Sequence, residues 1–179
     1  MQIKKCYAPE KILEGVREST PILKNALLDG NTLVATDGRI IATYPVERGE
    51  TDTNGLIPYL AFKRGKEGIT KAFSDYEMEV TKKEIRLKGL DGSKTAIESP
   101  TGNYPAWKAV ADNNPDNYTR VKINVGLLKQ ALDALGETKS GYLIIGINKD
   151  EGYKPVRIAA SNGAQAYIMP MREDEGDIR

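Results

Sequence analysis

Histidine is missing from all 179 residues, and that absence removes more chemistry than any other feature of the composition. Without an imidazole, neither a Ser-His-Asp nor a Cys-His nucleophilic centre can be built. A single cysteine, Cys6, cannot close an internal disulfide, and with no histidine it cannot seed a His/Cys metal cluster. Long apolar runs are also lacking. Stretches such as Tyr142–Ile147 are far too short to span a bilayer. The start, Met1-Gln2-Ile3-Lys4-Lys5-Cys6, lacks the apolar run of a secretory signal, so a reducing cytoplasm is the expected home. Net charge is nearly absent: 26 basic against 25 acidic side chains leave +1. That balance excludes a strongly basic nucleic-acid glue but leaves room for a local basic patch.

What is present is an ordinary globular composition, 40% hydrophobic and 28% charged, long enough to bury a real core. Along it runs a unit used three times: a short strand, a helix, then several strands. In the first, Ile3–Tyr7 reads as a strand and Pro9 as a helix start, with Ile12, Leu13 and Val16 on one helical face. Asp29-Gly30-Asn31 then supplies hairpin turn chemistry, and Asp37-Gly38 a second turn before the apolar strand Ile40–Tyr44.

In the second unit, Leu56 and Ile57 lead into a helix near Pro58 whose apolar face includes Leu60, Ile69 and Phe73, loosened by Gly65 and Gly68. Glu77–Val80, Glu84–Lys88 and Thr95–Ser99 follow as strands, and Pro100, Gly102 and Pro105 mark a loop. Residues 113–117, Asn-Asn-Pro-Asp-Asn, form the linker to the third unit. There Val121–Ile123 is a strand and Asn124 an N-cap; Val125, Leu128, Ala131, Leu132 and Leu135 make a buried stripe that Gly136 ends. Tyr142–Ile147, Val156–Ala159 and Ala166–Met169 complete the unit as strands. The pattern predicts an α+β fold with helices on one face of antiparallel sheets, divided into a domain of two half-units over 1–112 and a further half-unit over 118–179.

Three segments carry a resemblance. Val34-Ala35-Thr36-Asp37-Gly38-Arg39-Ile40-Ile41-Ala42 is similar to the V-A-T-D-G-H-R-L-A stretch of the bacterial beta sliding clamp. Asn103-Tyr104-Pro105-Ala106-Trp107-Lys108-Ala109-Val110 resembles that family's F-P-x-[YW]-x-x-V segment, and Tyr167-Ile168-Met169-Pro170-Met171-Arg172 its C-terminal V-M-P-M-R. Each alone is weak; all three in the family's order are specific. The chain departs from the family in having three units rather than the six of three full domains, and in an acidic tail from Glu173 to Arg179. Such a reduced clamp points to a phage or mobile element.

The resemblance implies a non-enzymatic replication accessory protein without cofactors. Carried over by position, its pocket for short apolar peptides of a DNA polymerase or other replication proteins would comprise Thr36, Gly38, Arg39, Ile40, Ile41, Pro105, Val110, Ile168, Met169, Pro170, Met171 and Arg172. Methionines make an adaptable apolar surface, and Arg39 and Arg172 would anchor polar groups at its rim. Arg39 and Ile40 replace a histidine and an arginine of the family motif. From periodicity alone, Ile40, Ile41, Val110 and Ile168 read as core, as do Trp107 and Cys6.

The family also implies a ring whose helices face double-stranded DNA. Lys63, Arg64, Lys66 and Lys71 form the densest basic cluster near a helix, and Lys11, Arg17 and Lys129 lie among Glu10, Glu14, Glu18 and Asp133. With about a dozen units per ring, about four chains would close one, and an odd half-unit predicts a homo-oligomer, most simply a two-fold dimer. An adaptor or decoy, binding the peptides without encircling DNA, is the alternative. No Gly-rich phosphate loop, D-x-D metal pair or activated nucleophile supports an enzyme.

Overall fold

The computed structural model describes residues 1–4, 6–67, 75–88, 94–111, 120–136, 141–148 and 154–172. It divides into two units, Met1–Ala111 and Asp112–Arg179. The fold is α+β, with antiparallel sheets and a few helices.

Unit 1 contains β1 (Gln2–Lys4), α1 (Pro9–Leu13), β2 (Asn25–Asp29), β3 (Thr32–Thr36), β4 (Ile41–Pro45), β5 (Gly55–Pro58), α2 (Tyr59–Glu67), β6 (Asp75–Val80), β7 (Glu84–Lys88) and β8 (Lys94–Glu98). Its two four-stranded sheets run β4-β3-β2-β5 and β1-β6-β7-β8. Neither sheet is built from one stretch of chain. The strand that precedes each helix crosses to the other half: β5 pairs with β2 through Ala26 and Ile57, and β1 with β6 through Ile3 and Tyr76. On its other edge β1 keeps a bridge to its own half, Gln2 to Glu47.

That exchange makes one core of two half-units. Ile3, Leu28, Leu33, Ile57, Phe62, Met78, Val80 and Ile85 come from both sheets and α2, and all lie in a single buried cluster. Each such side chain contributes about 1.5–3 kcal/mol through burial. α1 packs against β2 and β3, α2 against β5, β6 and β7, and the two helices touch. At the chain's start the Met1 ammonium lies 2.6 Å from the Asp52 carboxylate, both buried. Asp52 also accepts the N–H groups of Gly49 and Val80, each at 2.7 Å, which ties the loop after β4 to β1 and β6.

Unit 2 is smaller. α3 (Val125–Ala134) covers one face of a three-stranded sheet of β9 (Leu143–Gly146), β10 (Val156–Ala160) and β11 (Gln165–Ile168), in the order β11-β10-β9. Asn124 caps α3 as its side-chain type predicts, its Oδ1 accepting from Gly126 N at 2.8 Å and Leu127 N at 3.2 Å. Gly136 follows with a positive φ of 64°, and Asn162 donates to the Leu135 carbonyl at 2.8 Å. Leu135, Ile158, Ala160 and Ile168 form the core.

Several sequence expectations are corrected. Leu56 and Ile57 are not the entry turn of the helix; they are buried strand residues of β5, paired with β2, and α2 begins at Tyr59. Leu60 is exposed, and the face α2 buries is Ala61, Phe62 and Gly65. Ile69 and Phe73 lie outside the described residues. The first helix stops at Leu13, although Val16 beyond it is still buried. Val125, expected in the buried stripe of α3, is exposed. The expected strand Val121–Ile123 is reduced to one bridge, Lys122 to Met171.

Gly65 has a specific reason to be a glycine within a helix. A Cβ there would stand 2.4 Å from the Tyr76 ring. Alanine is favoured over glycine inside a helix by about 1 kcal/mol, but overpacking costs about 1–3 kcal/mol. Gly65→Ala should therefore lower the urea denaturation midpoint, and an unchanged or higher midpoint would exclude the close packing of Tyr76 on α2.

Burial alone would raise the Asp52 carboxyl, but the ammonium and the two N–H donors outweigh it and hold the group below the ordinary aspartate range. A depressed folded pKa means stability that is present above about 4 and lost as pH falls through and below that value. Asp52→Asn should lower stability at neutral pH and flatten the acid limb of the denaturation profile. An equally steep acid limb in the variant would remove the role assigned to this carboxylate.

Candidate functional site

Seven of the twelve expected peptide-binding residues lie in unit 1, and five of them, Thr36, Gly38, Arg39, Ile40 and Ile41, run from the end of β3 to the start of β4. Thr36 is the last residue of β3 and is buried; its Oγ1 accepts the Gly38 N–H at 3.1 Å. Asp37 accepts the N–H groups of Arg39 and Ile40, both at 2.8 Å, and those two bonds hold its carboxyl below the usual range. Gly38 turns the chain with φ 86°, a conformation that costs a side-chain-bearing residue strain. The result is a stiff turn that presents Arg39 and Ile40 to solvent, with Ile41 half-buried at the start of β4. The Arg39 guanidinium reaches back to within 3.6 Å of Asp37.

The Pro105 segment lies along the same sheet. The Tyr104 hydroxyl donates to the Val34 carbonyl on β3 at 3.4 Å, and burial pushes its pKa up to about 12. Trp107 is buried, and its Nε1 donates to Asp29 of β2 at 3.1 Å. Lys108 stands 2.8 Å from the same carboxylate, which lowers the Asp29 pKa. Gly102 passes so close to Ile22 that a Cβ there would fall 2.5 Å from its Cδ1. Pro105, between Tyr104 and Trp107, and Val110, beyond Lys108, are exposed. Tyr104 joins the two motifs, while Trp107 and Lys108 tie the second of them to β2 through Asp29, and no motif points to either contact. Tyr104 sits inside the recognised motif, but its partner is on a strand 70 residues away.

The other five expected residues are in unit 2, at the end of β11. Ile168 points into the core and is buried, so it fixes the strand and offers no contact surface. Met169 and Met171 are 60% and 47% exposed, and Arg172 is exposed beside them. Pro170 between the methionines is half-buried. The Met171 N–H donates to the Lys122 carbonyl at 2.8 Å, which keeps the segment extended beyond the last sheet residue.

The expected DNA-facing cations diverge. Lys63 and Arg64 are exposed on α2, whereas Lys66 is ion-paired with Glu10 of α1 and is partly buried. Glu14, the residue that caps the end of α1, accepts from the Tyr59 hydroxyl of α2 at 2.7 Å, so acidic groups share this pair of helices. Lys71 lies outside the described residues. Among the described residues no three His, Cys, Asp or Glu side chains could hold a metal ion. No helix among them is long and apolar enough to cross a membrane. A groove of about 770 Å³ in unit 1 lies over β1, β6 and β7, lined by Met78, Leu87 and charged groups, and includes none of the expected site residues.

No protein-family model matches the sequence, and no curated protein matches it. Solved structures do. The sliding clamp of Bartonella birtlesii bound to griselimycin superposes with a TM-score of 0.67 at 15% identity, over 98% of this chain and 51% of that one. The DNA polymerase sliding clamp of Pseudomonas aeruginosa, solved with a ligand, gives 0.65 at 14% identity over 97% and 51%. That of Bacillus subtilis gives 0.63 at 16% identity over 98% and 50%. The chain has the sliding-clamp fold and spans about half the length of the clamp structures it matches.

The turn at Gly38 yields a direct test. Its positive φ, with only ordinary contact at 3.8 Å to Leu23, makes backbone strain the main cost of adding a methyl group. Gly38→Ala should destabilise the protein by about 1–2 kcal/mol in chemical denaturation. A neutral effect would mean that the turn does not hold this conformation in solution.

Proposed function

We propose that this chain is a shortened, non-catalytic sliding-clamp protein that captures short apolar peptide segments of replication proteins, a DNA polymerase among them. Within unit 1, Thr36 and Gly38 would shape the turn and Ile40, Ile41, Pro105 and Val110 would supply apolar contacts; within unit 2, Met169 and Met171 would supply others. The observation that carries this is the pair of exposed methionines flanking Pro170 on a chain of clamp fold. Exposed methionines are costly to leave in water, and their flexible thioethers suit several partner side chains. Pro170 and Pro105 restrict their backbones, which lowers the ordering cost of binding. Arg39 and Arg172 supply cationic rims for a peptide's polar groups.

We further infer that chains associate and that the assembly encircles double-stranded DNA through Lys63 and Arg64, whose backbone contacts would be weak, sequence-independent and salt-sensitive. Lys66 is excluded from that role by its pairing with Glu10. The acidic groups sharing the α1–α2 pair favour a second possibility, an adaptor that holds the same peptides without surrounding DNA.

A fluorescent clamp-binding peptide titrated against the wild type and the Met169→Ala, Met171→Ala double variant tests the pocket. The two truncations should cost about 1–3 kcal/mol together, roughly 5- to 150-fold in Kd. No binding by the wild type, or unchanged affinity in the variant, removes the pocket. Peptide binding that persists while Lys63→Ala, Arg64→Ala leaves DNA association unaltered would favour the adaptor.

A further inference from the structure

One row of side chains crosses unit 1 from the loop after β4 to β8. Gln2 of β1 is bridged on one edge to Glu47 and paired on the other with Glu77 of β6. One step beyond the Met78–Leu87 pair the same register sets Glu77 against Lys88 of β7, and Lys88 stands directly opposite Lys94 of β8. Directly opposed residues of antiparallel strands share a face of the sheet. All five are exposed, while Ile3, Tyr76, Met78 and Leu87 beside them are buried, so the row lies on the face turned away from the core. The same five residues border the groove of about 770 Å³ over β1, β6 and β7.

Charge along this row is sorted, not mixed. Two carboxylates, Glu47 and Glu77, flank Gln2, and two ammonium groups, Lys88 and Lys94, follow. Like charges directly opposite on neighbouring strands disfavour the pairing. Among the described residues neither lysine is in an ion pair. Arg86, one row away, is matched on both sides, to Glu79 at 3.2 Å and to Glu84 at 2.6 Å. This sheet face therefore neutralises one cation locally and leaves the two lysines uncompensated. The acidic end is held in place beforehand. Arg48 donates to the Gly30 and Asp52 carbonyls and, at 2.9 Å, to Asn54, and the Gly49 N–H donates to Asp52 at 2.7 Å. Those bonds fix the Glu47–Gly49 stretch, which lowers the ordering cost of binding.

We propose that this groove binds a short peptide whose own charges are sorted the opposite way, with carboxylate side chains over Lys88 and Lys94 and cationic ones over Glu47 and Glu77. At strand spacing the row is roughly 19 Å long, a distance covered by about six residues of extended chain. The layout selects against uniform occupants. A polyanion that long would run onto Glu77 and Glu47, and a polycation would run onto the two lysines. A single small anion would use one end and leave the other without a function. The peptide crosses the strands and is read through its side-chain charges, since the backbone groups beneath it are already paired within the sheet. None of the residues assigned above to the capture of apolar peptides borders this groove, and the proposal does not rest on that function.

Three capped fluorescent peptides of equal length, titrated by anisotropy at low ionic strength, test this. One carries two lysines, a glycine-serine centre and two glutamates; the others are all glutamate and all lysine. The wild type should bind the bipolar peptide roughly fivefold or more tightly than either uniform one, and added salt should weaken that binding. Lys88→Glu with Lys94→Glu should turn the preference to the all-lysine peptide, a reversal that a merely structural role for the lysines would not produce. Circular dichroism checks that this variant folds. Lys94→Gln, a milder change on the edge strand β8, should weaken the bipolar peptide in any case. Met169→Ala with Met171→Ala should leave all three affinities unchanged, which separates this groove from the methionine segment. No binding by the wild type, no preference for the bipolar peptide, or a preference unmoved in a folded lysine variant overturns the proposal.

Discussion

A strand–helix–strands module has one apolar sheet face and one helix to set against it, and the helix is too narrow to cover the sheet. Everything in this chain follows from that shortage. Unit 1 resolves it by coupling two modules: each gives its first strand to the other's sheet, both sheets turn their apolar faces to a common core, and α1 and α2 lie side by side. The burial that results is nearly complete, with Ile3, Leu28, Leu33, Ile57 and Phe62 wholly inside. Unit 2 has one module. Its core is confined to the few residues that α3 can reach, and the apolar residues of β9 lie beyond it.

What the sequence disclosed depended on how local the determining interaction was. α3 was legible because its boundaries are set by Asn124 and Gly136 acting on their immediate neighbours. The β2–β3 hairpin was legible for the same reason, through Asp29-Gly30-Asn31 and a φ of 59° at Gly30. β5 was not, because it runs without a break into α2, and its extended state is set by pairing with β2 some thirty residues earlier. Gly65 looked like a weak point in a helix; its necessity lies in Tyr76, which the helix pattern cannot reveal. The candidate site divides similarly. The Thr36–Ile41 turn and the two exposed methionines could be read from motifs, whereas the bond from Tyr104 to Val34 and the pairing of Trp107 and Lys108 with Asp29 belong to the fold.

Near-neutral net charge does not mean that the charges are idle. Asp29, Asp37 and Asp52 each stand at a loop or strand end, and each holds backbone or a distant segment in place. All three carboxyls are lowered below the ordinary range by the donors around them. Lys66 and Glu10 join α1 to α2, and Tyr59 with Glu14 joins them again. The basic cluster that looked available for phosphates is thereby reduced, among the described residues, to Lys63 and Arg64. A helix pair that mixes the exposed cations Lys11, Lys63 and Arg64 with carboxylates would bind a polyanion weakly and only through many copies. That requirement ties the DNA half of the proposed function to assembly far more tightly than the peptide half.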